Sequence, residues 1–236
     1  MHVAYEFRDP LLVAVLDRLP ADEPVDIVPM YLADSAFTHE ISRATVLEWS
    51  LRFPGGRPAP VRVLPPPDER GLVEVSAAFV EREIAKREVS GKDWALMLAA
   101  HGTLLEPEKP IATGREETER LCAGIAERLR PRFGMVVNGW LNHTRGGRWT
   151  EPAAELALER IAKAGYRKVV YYPYGFSGRQ RRERARGSVT ALRGQIWDEA
   201  VHLPCLNRDP DFIRLLASQV IAEAAATTPE PVAVTR

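Results

Sequence analysis

Apolar and polar positions alternate between two rhythms along this chain. Residues 93–102, DWALMLAAHG, open polar and then run apolar without a break over residues 94–100. A short apolar run bounded by turn-formers predicts a strand buried on both faces. Residues 133–141 and 168–176 read as strands of the same kind. Between them the period changes. Leu72, Val75, Ala78, Phe79 and Ile84 recur at helical spacing within residues 69–87, as do Leu121, Ile125 and Leu129 within residues 114–130.

The remaining segments continue the alternation. Residues 1–7 alternate weakly and predict a strand. Asp9-Pro10 then starts a helix with an aspartate cap and a first-turn proline, carrying Leu11, Leu12, Val15, Leu16 and Leu19 on its apolar stripe. Residues 26–32 predict a strand in which Pro29 sits best at an end or bulge. Residues 39–51 predict a helix and residues 61–64 a strand. A helix over residues 151–163 is closed by Gly165. Residues 179–193 read as a very basic helix, residues 201–206 as a short strand, and Asp209-Pro210 as the start of a last helix reaching residue 225. The tail, residues 227–236, reads as disordered. Such alternation predicts an α/β protein built of two Rossmann-like parallel-sheet sandwiches with helices on both faces. Residues 1–90 would hold three strands and residues 91–226 four, with the boundary at residues 89–92.

Composition narrows the class. The chain has 236 residues, 45% hydrophobic and 27% charged, as a soluble globular protein does. Thirty-two basic residues balance thirty-two acidic ones, so no global field favours nucleic acid. Cys122 and Cys205 lie far apart without CxxC spacing, which fits buried thiols in a reducing compartment. No apolar run reaches the length of a membrane span and no signal-peptide pattern opens the chain, so a cytoplasmic location is expected.

Chemistry concentrates at the end of the central apolar run. In an open parallel sheet, ligands sit beyond the carboxyl ends of the strands. His101-Gly102 ends such a strand, and an imidazole there suits metal binding or proton transfer. The plain reading of the same residue is a loop or capping histidine. His2, His39 and His202 read as surface or structural residues, and His143 as a loop residue.

The order of motifs resembles the ferrochelatase family, which inserts ferrous iron into a porphyrin. AYEFRDPLLVAVLDRL is similar to that family's strand and proline-started helix. IVPMYLADSAFT resembles its LPLYPxYSxxT segment and keeps Pro29, Tyr31, Ser35 and Thr38. LAAHG resembles its SAHG strand end, which puts His101 on the metal-handling histidine. WTEPAAELALERIAKAGYRKVVYYPYGF resembles its Trp-x-x-Pro turn, helix and strand ending in P-x-x-F. PCLNRDPDFIRLLASQVI resembles its closing segment, with Leu206, Asn207 and Phe212 in place.

That resemblance implies a chelatase-type fold and a porphyrin substrate, with Fe2+ as the metal delivered and no prosthetic group. Inserting the ion removes two pyrrole protons, a task for a neutral imidazole opposite a carboxylate. His101 and Glu183 would be the catalytic and metal-handling pair. Tyr31, Ser35, Thr38, Asn142, Trp149, Phe176, Arg179 and Arg182 would line the porphyrin site, the arginines holding propionates. Trp140 is a further aromatic suited to the flat ring. Against this stand an ordinary core role for Tyr31, a loop-fixing role for Trp149 and a solvated helix face for the basic run.

Three departures stand out. Family members carry a further strand and two helices ahead of the point matching Met1, so the first half would have an exposed apolar face, open to a homodimer, and the chain could touch a membrane surface loosely. Where the family has Asp-His-x-Glu after P-x-x-F, this chain has Arg179, Gln180 and Arg182 in register, with Glu183 one place later. The proline after SAHGL and the Gln-Ser pair before the Trp turn are missing, Asn142-His143 standing nearest to the latter. Two alternatives follow: a chelatase-fold protein without catalysis that binds a tetrapyrrole or another anionic ligand, and a chelatase for cobalt or nickel. Glu106, in the loop after His101, is a second candidate carboxylate.

Overall fold

The computed structural model describes residues 1–6, 8–53, 55–56, 59–106, 111–142, 147–174 and 197–226. It is an α/β protein with a central strand, β3 (Trp94–His101), from which the larger sheet is built. β4 (Met135–Leu141) pairs with β3 on one side, from Ala95 opposite Met135 to His101 opposite Leu141. β5 (Lys168–Pro173) pairs on the other side, from Trp94 opposite Lys168 to Ala99 opposite Pro173. β6 (Glu199–His202) adds to β5, giving a parallel sheet in the order β4-β3-β5-β6.

Both faces of β3 are covered, which is why its sequence is continuously apolar. Leu96, Leu98 and Ala100 face a core made with Leu72, Phe79, Val80 and Ile84 of helix α3 (Glu69–Ala85) and Leu121, Ile125 and Leu129 of α4 (Arg115–Leu129). Ala95, Met97 and Ala99 face Ala154, Ala157, Leu158 and Ile161 of α5 (Ala154–Lys163). Small residues predominate on this second face because the helix lies close. A Cβ added at Gly139 would stand 2.9 Å from the Ala157 Cβ and 3.2 Å from the Ala154 Cα.

The smaller sheet pairs only β1 (Val25–Ile27) with β2 (Val61–Val63), in parallel. Asp26 stands opposite Arg62, whose guanidinium grips it through two hydrogen bonds of 2.7 and 2.8 Å. Helices α1 (Leu12–Leu16) and α2 (His39–Ser50) pack together over it, with Trp49 buried and its Nε1–H donating to Asp17 at 2.7 Å. The last helix, α6 (Pro210–Ala226), ties the two sheets together. Asp209 caps it by accepting from the Asp211 and Phe212 amides and also receives Arg82 of α3 at 2.5 Å. From the same helix, Gln219 donates to the Pro65 carbonyl at 2.6 Å.

Five local expectations are corrected. Residues 1–4 form no strand: Met1 and Val3 are exposed, and only Tyr5 makes an isolated bridge, to Leu11. That bridge also displaces the start of α1. Tyr5 donates to the Pro10 carbonyl and accepts from the Leu12 amide, so Pro10 lies outside the helix and Leu11, not Asp9, is its N-cap. Among its described residues the first half therefore holds two strands, where three are expected. β1 stops at Ile27, before Pro29, which has no N–H to extend the ladder. β6 lies at 199–202 rather than 201–206. Leu203 makes one more bond to Tyr171, and a single 3₁₀ turn follows over Leu206–Arg208. α3, placed with the first half by order along the chain, buries its apolar face against the larger sheet.

Candidate active site

His101 is the last residue of β3, half-buried at the carboxyl end of the larger sheet. Its Nδ1 lies 2.6 Å from the Gly102 carbonyl oxygen. A carbonyl can only accept, so Nδ1 carries a proton, and whenever the ring is neutral its lone pair is on Nε2. The strand ladder continues one step further, with the Gly102 amide donating to Leu141 at 3.0 Å. Gly102 must be glycine: an added Cβ would fall 2.0 Å from Asn142 Oδ1 and 3.0 Å from the Asn142 Cα.

The loop after His101 is zipped to the loop before Pro152. Thr150 donates its amide to the Thr103 carbonyl at 3.0 Å, Leu105 donates to Arg148 at 2.9 Å, and Leu104 bridges Trp149. Trp149 is half-buried within this ribbon. Asn142 turns its amide to Thr150, donating to the backbone carbonyl at 2.8 Å and accepting the hydroxyl at 3.3 Å. Thr150 is buried and was not singled out from the sequence, where a threonine inside a Trp-x-x-Pro turn carries no signal. Glu106 ion-pairs with Arg148 at 2.8 Å, both side chains being about 70% exposed, so the pair is worth less than about 1 kcal/mol.

Loops from the smaller sheet reach the same end of the molecule. The Ala36 amide donates to Ala112 at 2.8 Å, and the Asp34 amide donates to Glu117 in the first turn of α4 at 2.8 Å. α4 begins where the loop from β3 ends. Asp34 and Ala36 therefore stand beside the end of the His101 loop. Tyr31 donates its hydroxyl to Glu6 at 2.9 Å, and Ser42 donates to the other oxygen of the same carboxylate at 3.0 Å. The Ser35 and Thr38 hydroxyls bond each other at 3.0 Å, and Thr38 also donates to the Ala33 carbonyl at 2.9 Å.

His39 sits behind them, fully buried, with its ring edge-on to Tyr31 at 6.4 Å between centroids. Neither of its ring nitrogens makes a well-aligned hydrogen bond among the described residues. Burial holds its pKa below the ordinary 6.5, against smaller upward pulls from Asp34 and the Ala33 carbonyl. Burial likewise raises Glu6 above the usual carboxylate value, although the Tyr31 and Ser42 hydrogen bonds pull it back. The Tyr31 phenol is pushed well up, by burial first and then by the Glu6 charge. Glu6 escaped the sequence reading because a single acid in a weakly alternating segment has no pattern to mark it.

Trp140 is corrected from ring contact to core, being 1% exposed within the cluster on the α3 face. Glu183, Phe176, Arg179 and Arg182 fall in residues 175–196 and His143 in residues 143–146, all outside the described residues. Among the described residues no group of three or more His, Cys, Asp or Glu is placed to hold a metal ion.

This fold, with parallel strands and helices on both faces, is shared with solved chelatases. SirB from Bacillus subtilis, solved with Fe3+, superposes with a TM-score of 0.64 at 16% identity, over 93% of this chain and 80% of that one. The sirohydrochlorin chelatase SirB from Bacillus subtilis subspecies spizizenii, in complex with cobalt, gives 0.60 at 12% identity, over 94% and 79%. The ferrochelatase family model matches residues 1–224, and the chain belongs to that family. Its similarity to curated ferrochelatases is 26% identity with that of Stenotrophomonas maltophilia, over 94% of this chain and 69% of the relative. With the Nitrobacter hamburgensis ferrochelatase it is 27%, over 84% of this chain and 57% of the relative.

Proposed function

We propose that this protein inserts ferrous iron into a porphyrin bearing propionates, protoporphyrin IX or coproporphyrin III, as a step of haem biosynthesis. The observation that supports it most is His101. It ends the central strand of a ferrochelatase-family fold with Nδ1–H held by Gly102, so Nε2 carries the lone pair. The reaction exchanges one Fe2+ for two pyrrole protons. The His101 imidazole takes a pyrrole proton at Nε2 and passes it to solvent, or steadies the incoming ion through the same atom. Glu183 is the carboxylate assigned to the second proton and to the ion's other side. Tyr31, Ser35, Thr38, Asn142, Trp149 and Phe176 are assigned to the ring, and Arg179 and Arg182 to the propionates. A cytoplasmic setting is supported by two cysteines outside any disulfide and, among the described residues, by no helix long and apolar enough to cross a membrane.

A second reading has a specific observation behind it: arginine and glutamine occupy the register positions of the family's Asp-His-x-Glu run. Positive charge there disfavours both a protonated imidazole and a bound Fe2+, and favours a tetrapyrrole binder that does not turn over. Titration with protoporphyrin or coproporphyrin, followed by anaerobic Fe2+, separates the two. Conversion of the free-porphyrin spectrum to that of haem, abolished by His101→Ala in a folded variant, is the expected result. Porphyrin binding without conversion would establish the binder, and turnover unchanged by His101→Ala would remove His101 from the chemistry.

A further inference from the structure

The hydrogen bonds around His101 converge on one peptide group. The carbonyl of Gly102, which accepts from His101 Nδ1 at 2.6 Å, and the N–H of Thr103 belong to the same planar unit. They point in opposite directions, so fixing one fixes the other. The Thr103 N–H donates to Thr150 Oγ1 at 3.2 Å. The hydroxyl hydrogen of Thr150 is committed elsewhere, to Asn142 Oδ1 at 3.3 Å, and Asn142 is itself oriented by donating to the Thr150 carbonyl at 2.8 Å. Thr150 Oγ1 therefore faces the peptide as an acceptor.

We infer that Thr150 is a positioning residue that sets the tautomer of His101 through the Gly102–Thr103 peptide. A flip of that peptide would turn its N–H toward Nδ1. The ring would then have to accept at Nδ1 and carry its proton on Nε2, the wrong nitrogen for a base or ligand. Glycine on one side makes the flip sterically cheap, because residue 102 has no Cβ to oppose it. The clamp from Thr150 opposes it instead. Thr150 is 1% exposed, so bulk water does not compete for its hydroxyl. The arrangement gives three residues a shared purpose: Gly102 leaves room for Asn142, Asn142 orients the Thr150 hydroxyl, and that hydroxyl holds the peptide. Partners that fix the tautomer of a working histidine typically matter about 10- to 100-fold in activity or metal affinity.

The consequence for catalysis rests on the metal-insertion reading, but the tautomer does not. The test uses the full chain labelled with 15N-histidine, in wild type, Thr150→Val, Thr150→Ser and Thr150→Ala. Ring nitrogen shifts of His101 at a pH where it is neutral report which nitrogen bears the proton; His101→Ala identifies its signals. Wild type and Thr150→Ser should show the proton on Nδ1. Thr150→Val and Thr150→Ala should show a mixture or the reverse, and Thr150→Ala serves if the valine variant does not fold. Iron insertion, measured in parallel, should fall about 10-fold in kcat for Thr150→Val with KM little changed, and return in Thr150→Ser. An Nδ1–H signal unchanged in both variants overturns the inference, whatever happens to activity. If wild type inserts no metal, the spectra still decide the tautomer question and only the functional reading falls.

Discussion

The two sheets follow the same strand–helix alternation and end in opposite states. In the larger sheet β3 is flanked by strands on both sides and covered on both faces, and Ala95 through Ala100 are fully buried. In the smaller sheet no residue of β1 or β2 is more than partly buried. Of the large exposed apolar side chains, Leu11, Met30, Phe37, Leu47, Leu51 and Phe53 belong to the helices and loops of this half, while Leu156 lies on α5 and Ile213 and Ile221 on α6. Two strands offer too little area for flanking helices to seal against, so part of each apolar stripe stays in water. His101 therefore ends the close-packed sheet, and Tyr31 and Glu6 stand with the more exposed half.

That contrast can be tested from the strongest effect to the weakest. Leu98→Ala should cost about 2–5 kcal/mol in denaturant unfolding, because the closed core around β3 cannot collapse into the cavity. A cost below about 1 kcal/mol would mean the larger sheet is not the stable unit. Asp209→Ala removes the cap of α6 and the Arg82 partner that tie the sheets together, and should cost about 1–2 kcal/mol. Leu47→Ser on the exposed face of α2 should change monomer stability by no more than about 0.5 kcal/mol. A larger loss, dependent on protein concentration, would show that a second copy covers this face.

The pH dependence of the smaller unit has a defined sign. His39 is held neutral by burial, with a folded-state pKa below its ordinary 6.5, so the unfolded chain binds its proton first. Its contribution is full above that ordinary value and is lost as pH falls from about 6.5 through the folded pKa. Glu6 acts the other way. Its pKa is raised above 4.5, so its contribution is present below 4.5 and lost as pH rises through the folded value. Melting temperatures followed from pH 7 to 5 should drop in wild type, and His39→Leu should flatten that drop. An unaltered slope in the variant would show that His39 titrates as it does in the unfolded chain.

Much of this molecule was legible because the signal was local. The run ending in His101-Gly102 declared a doubly buried strand, and the structure returns Trp94–His101. Asp209-Pro210 declared the last helix, since a capping carboxylate and a first-turn proline act on their own turn. β6 was misplaced by two residues because an edge strand with mostly exposed side chains has no apolar period to read. Lys168 of β5 reaches Glu199 at its start at 2.7 Å and Asp93 at 3.2 Å, contacts that no period in the sequence announces.

By itself the sequence determined the strand–helix alternation, the central strand, the histidine at its end and membership of a family, all of which follow from short-range periodicity and motif order. The tertiary structure alone decided which helix covers which sheet, that Trp140 is core, and that half-buried Glu6 and Tyr31 join buried Ser42 and His39 in one polar cluster. It alone brought Thr150 to the peptide after His101. Each of these joins residues far apart in the chain or turns on the direction of a single hydrogen bond, and neither leaves a period in the sequence.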